Sequence, residues 1–172
     1  RPAGAVTMSN AVAEGPSWTL LNNHPPGSRR WYPVVVNTTD RGHREIEHTA
    51  DWELEVWGPD MEALLEEAAR GMYELMGVEV SEESRRHREF EVVSDDLEQL
   101  VISFLEELLF RGEAEDLAFD GFLHKVDGNR LHARLEGGFV IVRSKEIKAV
   151  TYHRLEIKET PRGLETRVVF DV

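Results

Sequence analysis

Trp52-Glu53-Leu54-Glu55-Val56-Trp57, Gly58-Pro59-Asp60 and the run from Met61 to Met76 together decide the fold. Apolar and acidic residues alternate from Trp52 to Val56, and Trp57 extends the run. That period of two reads as a half-buried strand, with Glu53 and Glu55 on the wet face. Gly58-Pro59-Asp60 ends the strand, and Pro59 suits the entry to a helix. Between Met61 and Met76, Leu64, Leu65, Ala68, Ala69, Met72, Tyr73, Leu75 and Met76 recur mostly at spacings of three and four, which places them on one helical stripe. Glu62, Glu66, Glu67 and Arg70 take the opposite face, and Gly77 fits a helix C-cap. The period therefore changes from strand to helix within a single stretch of chain.

Working outward, Arg44 to His48 reads as short and extended, and Arg88 to Val92 alternates as another strand. Ser94-Asp95-Asp96 offers an N-cap with acids in the first turn of a second helix. There Leu97, Leu100, Val101, Phe104, Leu105, Leu108 and Leu109 hold helical spacing, and the pattern ends near Phe110-Arg111-Gly112. Leu117 to Val126 and Leu131 to Leu135 flank a turn at Asp127-Gly128-Asn129. Lys148 to Ile157 and Leu164 to Val172 flank a second turn around Pro161 and Gly163. The expected order is β-β-α-β-α-β-β-β-β. Its class is α+β, a two-layer domain with a mostly antiparallel sheet and two amphipathic helices packed on one face.

Residues 1–40 read differently, holding Pro2, Pro16, Pro25, Pro26 and Pro33 of the seven prolines. No helix or strand period persists before Trp31, although Val34-Val35-Val36 could form one short strand. The expectation is an N-terminal extension over 1–40, a poorly ordered tail or an arm, and one α+β domain over 41–172.

Composition narrows the function. The 172 residues carry 33 acidic and 20 basic side chains, a formal charge of −13. Such a chain is poorly suited to bare nucleic acid, which needs clustered Lys and Arg, and better suited to cations or a basic protein surface. There is no cysteine, hence no disulfide, thiolate metal site or cysteine nucleophile. No apolar run approaches the roughly 20 residues of a membrane-spanning helix. No apolar stretch follows Arg1 as a secretory leader would require, so a cytoplasmic location is expected. Glycine-rich phosphate loops, the Gly-x-Ser-x-Gly turn and His-Glu-x-x-His are all missing from the sequence.

Three clusters could carry chemistry. His48-Thr49-Ala50-Asp51 lies between two strands, where Asp51 either makes turn hydrogen bonds or ligates a hard cation. Lys148 to Ile157 places Lys148, Val150, Tyr152 and Arg154 on one strand face and Ala149, Thr151, His153 and Leu155 on the other; His153 reads equally well as a bonded sheet histidine. Val169-Phe170-Asp171-Val172 ends in several oxygen donors, a partial site for Ca²⁺ or Mg²⁺ or else a frayed terminus. Glu66, Glu67, Glu106 and Glu107 read as solvated helix faces, and His24, His43, His87, His124 and His132 have no zinc-like spacing.

These clusters occur together with Glu66-Glu67-Ala68-Ala69 and Met72-Tyr73-Glu74-Leu75-Met76, and the whole of 43–172 resembles the archease family. Lys148-Ala149-Val150-Thr151-Tyr152-His153 is the most specific part of the likeness. The resemblance implies a small α+β accessory protein, not itself an enzyme, that serves an RtcB-type tRNA-splicing RNA ligase. It would promote guanylylation and multiple turnover of the ligase and broaden its nucleotide use. It further implies a divalent cation, calcium first with magnesium or manganese as alternatives, held by Asp51, Asp171 and Val172. Lys148 matches a family position linked to activity and would touch the ligase or its nucleotide. No sequence-specific nucleic-acid binding and no membrane contact are expected, and the oligomeric state stays open. Two other functions compete. One is a general chaperone or modulator of nucleic-acid-processing proteins; the other is a metal-dependent phosphoester hydrolase using Asp51, His153 and Asp171.

Overall fold

The computed structural model describes residues 18–19, 32–33, 40–46 and 51–172. The chain divides into two units, Arg1–Val36 and Asn37–Val172. In the first, β1 (Trp18–Thr19) pairs antiparallel with β2 (Tyr32–Pro33). The strand considered for Val34-Val35-Val36 lies outside the described residues, as do His48, Thr49 and Ala50.

The second unit contains β3 (Gly42–Ile46), β4 (Trp52–Gly58), α1 (Met61–Met76), β5 (Glu79–Val80), β6 (Arg86–Val93) and α2 (Leu97–Ala114). It continues with β7 (Leu117–Asp127), β8 (Arg130–Val142), β9 (Ala149–Thr151), β10 (Lys158–Thr160) and β11 (Gly163–Asp171). The α+β expectation holds, with the sheet in two parts. One part has the order β10-β11-β4-β3, with β9 also on β11; the other has the order β5-β8-β6, with β7 on β8. Every pairing is antiparallel. Both helices pack on strands of both sheets.

Local chemistry explains where α1 begins and ends. Asp60 is extended and its carboxylate accepts from the Ala63 amide at 2.8 Å, capping the N-terminus. At the other end Gly77 has φ 60° and ψ 44°, which a side-chain-bearing residue adopts at a cost. The Gly77 and Val78 amides donate to the Glu74 and Tyr73 carbonyls, each at 3.0 Å. Asp96 caps α2 in the same way, accepting from the Gln99 amide at 2.7 Å. The second helix runs past Gly112 to Ala114, beyond the end expected from periodicity. Arg111 bridges Glu107 at 2.6 Å and Glu115 at 2.8 Å one turn either side, which carries the last turn through the glycine.

The apolar stripes meet in one core. Leu64, Leu65 and Met72 of α1 and Leu100, Phe104, Leu105 and Leu108 of α2 are fully buried with Leu54, Phe119, Leu131 and Phe170. Close approach of α1 to the sheet requires Gly71. A Cβ there would lie 2.5 Å from Leu54 Cδ2 and 2.9 Å from the His43 ring.

Several local expectations are corrected. Lys148 to Ile157 is not one strand. The chain leaves β9 at Thr151, turns at His153-Arg154 with Arg154 at φ 61°, and rejoins the sheet only at β10. Residues 152–157 lie opposite only residues 166–168 of β11, so the excess chain must detour. The detour buries Leu155, and the Ile157 amide donates to Glu98 of α2 at 3.1 Å. His153 is therefore an exposed turn residue and not a sheet histidine. Extra strand also appears: β8 continues to Val142, where Gly137-Gly138 have no side chains to display alternation.

Two carboxylates assigned to solvent are buried. Glu53 is 4% exposed because β4 is an inner strand: Ile46 of β3 and Val169 of β11 flank it, and Arg167 reaches it at 3.2 Å. Glu67 is 7% exposed, held by Arg41 at 3.3 Å and His43 Nδ1 at 3.0 Å, while His43 Nε2 meets Glu74 at 2.9 Å.

Two outcomes follow from this packing. Gly71→Ala should lower stability by about 1–3 kcal/mol through overpacking, read as a lower urea midpoint. The second concerns His124, whose ring packs edge-on at 4.9 Å against Phe104 with both nitrogens unpartnered. Burial pushes its pKa down to about 4, with Glu66 opposing weakly. The unfolded imidazole, near 6.5, takes up a proton before the native one does, so stability is full above pH 6.5 and falls towards pH 4. The loss is up to about 3 kcal/mol. Urea titrations at pH 7 and pH 4.5 should show His124→Phe losing less stability than wild type between the two.

Candidate functional site

The site forms where β4, β11 and β9 end together. The last pair of the β4–β11 ladder is Trp52 with Phe170. Asp51 immediately precedes Trp52 and Asp171 immediately follows Phe170, so both acids lie at the same end of neighbouring strands. The ladder itself stops at Trp52 and Phe170, and Asp51 lies in the bend that leads into β4. Both acids are exposed.

On the other edge of β11, Asp171 pairs with Ala149. The Lys148 amide donates to the Asp171 carbonyl at 2.8 Å, and Lys148 Nζ donates to the Val172 main-chain oxygen at 3.0 Å. The structure thus brings Asp51, Asp171, Val172 and Lys148 to one place. Sequence reasoning missed Lys145, whose ammonium lies 4.5 Å from the centroid of the Trp52 ring. Two of only four lysines thus stand within two residue pairs of an acidic strand end, a scarcity that was visible in the sequence.

His153 is not part of this cluster. Asp171 faces Ala149, and β9 runs from there towards Thr151, away from Asp171, before the turn that carries His153. The Asp51, His153 and Asp171 trio of the hydrolase reading is not assembled. Among the described residues no group of three or more His, Asp or Glu side chains could by itself hold a metal ion. What the strand end offers is two carboxylates and a main-chain oxygen, all hard donors of the kind Ca²⁺ and Mg²⁺ prefer. No helix among the described residues is long and apolar enough to cross a membrane.

Fold and site together define a small α+β protein with an open, oxygen-rich site at the end of an antiparallel sheet. The profile of the Archease protein family (MTH1598/TM1083) matches residues 43–172. Protein archease of Thermococcus gammatolerans is 36% identical over 131 residues, covering 72% of this chain and 92% of the relative. That of Methanothermobacter thermautotrophicus is 30% identical over 141 residues, 77% of this chain and 99% of the relative. Among solved structures, Methanobacterium thermoautotrophicum protein 1598 superposes with a TM-score of 0.61 at 31% identity, covering 76% of this chain and 99% of its own. An archease of Thermotoga maritima, described as a possible chaperone, gives 0.57 at 28% identity, covering 75% and 96%. The chain belongs to the archease family.

Carboxylates at the same end of neighbouring strands repel, and the repulsion should be measurable without metal. In the presence of a chelator, Asp171→Asn should raise stability by about 0.2–1 kcal/mol, seen as a higher thermal midpoint than wild type.

Proposed function

We propose that this chain is a metal-binding accessory protein of an RtcB-type tRNA-splicing RNA ligase, promoting its guanylylation and multiple turnover and broadening its nucleotide use. It has no catalytic centre of its own in this reading. The observation that carries it is the meeting of Asp51, Asp171 and Val172 at one strand end, in a chain of the archease family.

The donors fit a hard cation, calcium above all. Oxygen is the only donor element among Asp51, Asp171 and Val172, and the ammonium of Lys148 already rests on the Val172 oxygen as a cation would. When bound, the ion would neutralise the two carboxylates and offer its remaining coordination positions to water or to an anionic group of the partner. Asp51 and Asp171 are exposed at the strand ends, so a large partner reaches them without any opening of the fold.

Charge supports the choice of partner. The formal charge of −13 disfavours direct binding of RNA and favours a basic, RNA-handling protein surface. One acidic patch is local: the exposed Tyr152 phenol is raised above its ordinary value, by desolvation first and then by Asp96, Asp95, Glu106 and Glu98.

The test is ligase turnover with and without this protein. Asp51→Ala and Asp171→Ala should each weaken stimulation by at least about tenfold, as loss of a ligand does, while Lys158→Met on β10, six residues along β11 from the site, should stimulate normally. Unchanged stimulation by both alanine variants would remove the site assignment. The description of the Thermotoga maritima relative favours a second reading, a broader chaperone. One dominant ligase partner in a pull-down supports the first reading, and many unrelated clients support the second.

A further inference from the structure

We propose that the Lys148 ammonium is a built-in counter-ion: it holds the Val172 oxygen in the metal-free protein and is displaced from it when a divalent ion binds. This rests on the metal reading above and gives Lys148 a role within that site. Lys148 Nζ lies 3.0 Å from the Val172 main-chain oxygen, the third donor of the set. A calcium ion on that same oxygen would lie about 2.3–2.6 Å from it. Ammonium and ion would then be only a few ångströms apart, and like charges at that distance repel.

The lysine can let go without disturbing the strand. Its backbone amide donates to the Asp171 carbonyl at 2.8 Å, and Ala149, Val150 and Thr151 pair with Asp171, Phe170 and Val169. The main chain is therefore fixed to β11 by bonds that do not involve the ammonium. The side chain is exposed, so it can swing into water at little cost. Lys145 differs, because its ammonium is seated over the Trp52 ring and not on a donor of the set. Once displaced, the Lys148 ammonium stands beside the ion and is offered to an anionic group of a partner only in the loaded state.

The sign of one substitution separates this role from a purely structural one. If Lys148 merely pinned the end of the chain, Lys148→Met would loosen the donors and weaken ion binding. As a competing cation, its removal should tighten binding. Calorimetric titration with calcium chloride should give Lys148→Met an affinity about two- to fivefold higher than wild type, the scale of one exposed ion pair. Lys148→Arg and the remote Lys158→Met should stay near wild type. A second measurement uses the native sequence. With only Lys125, Lys145, Lys148 and Lys158 present, ¹³C-methylation gives four lysine NMR signals beside that of the N-terminal amine. Calcium should move the Lys148 signal towards that of a freely solvated lysine and leave Lys158 unchanged. Equal or weaker calcium binding by Lys148→Met, or an unmoved Lys148 signal at saturation, overturns the counter-ion role with the metal site intact. Absence of saturable calcium binding by wild type overturns the metal reading and this inference with it.

Discussion

The antiparallel ladder between β4 and β11, from Gly58 opposite Leu164 to Trp52 opposite Phe170, constrains the rest of the domain. These strands are far apart in sequence, and their pairing is what joins the early strand–helix unit to the end of the chain. The register matters as much as the pairing. A slip of one residue would turn Leu54, Val56, Val168 and Phe170 away from the helices and would separate Asp51 from Asp171. Burial of the inner face therefore fixes the geometry of the exposed strand end. Site and core are two consequences of one register.

Charge is distributed around that ladder in a consistent way. Carboxylates within the domain are held by basic partners: Glu53 and Glu55 of β4 by Arg167 and Arg44, and Glu67 of α1 by Arg41 and His43. At the strand end the pattern reverses, and Asp51 and Asp171 face solvent with Lys148 close by but bonded to a main-chain oxygen. A structural carboxylate keeps its counter-ion close. A pair left open at a strand end retains the unmet attraction for a cation on which the functional proposal depends.

Much of this was legible before any coordinates. The change of period at Gly58-Pro59-Asp60, the helical stripe to Met76 and the cap at Gly77 all come from local chemistry, and α1 has the bounds that they predict. The Asp96 cap of α2 is local in the same sense. The larger failures are non-local. Glu53 and Glu67 carry a polar pattern, yet their burial is decided by β3 and β11, which period and propensity cannot see. Lys148 to Ile157 reads as one extended run, but β11 has room for only part of it, so the middle becomes a turn. The candidate site was named residue by residue from family resemblance. Its physical basis, two acids one residue beyond a shared ladder, was invisible because it is a property of strand pairing.

The sequence by itself determined the elements and the types of donor: which stretches are strand or helix, where the helices are capped, and that hard oxygen atoms rather than thiolates are offered. Those are matters of neighbouring residues, where steric and hydrogen-bonding preferences act over a few positions. Only the tertiary structure decided which acids are buried and which stay open, and that Lys148 lies against Val172. Those outcomes depend on which strands become neighbours and in what register, and both are set by burying one common core.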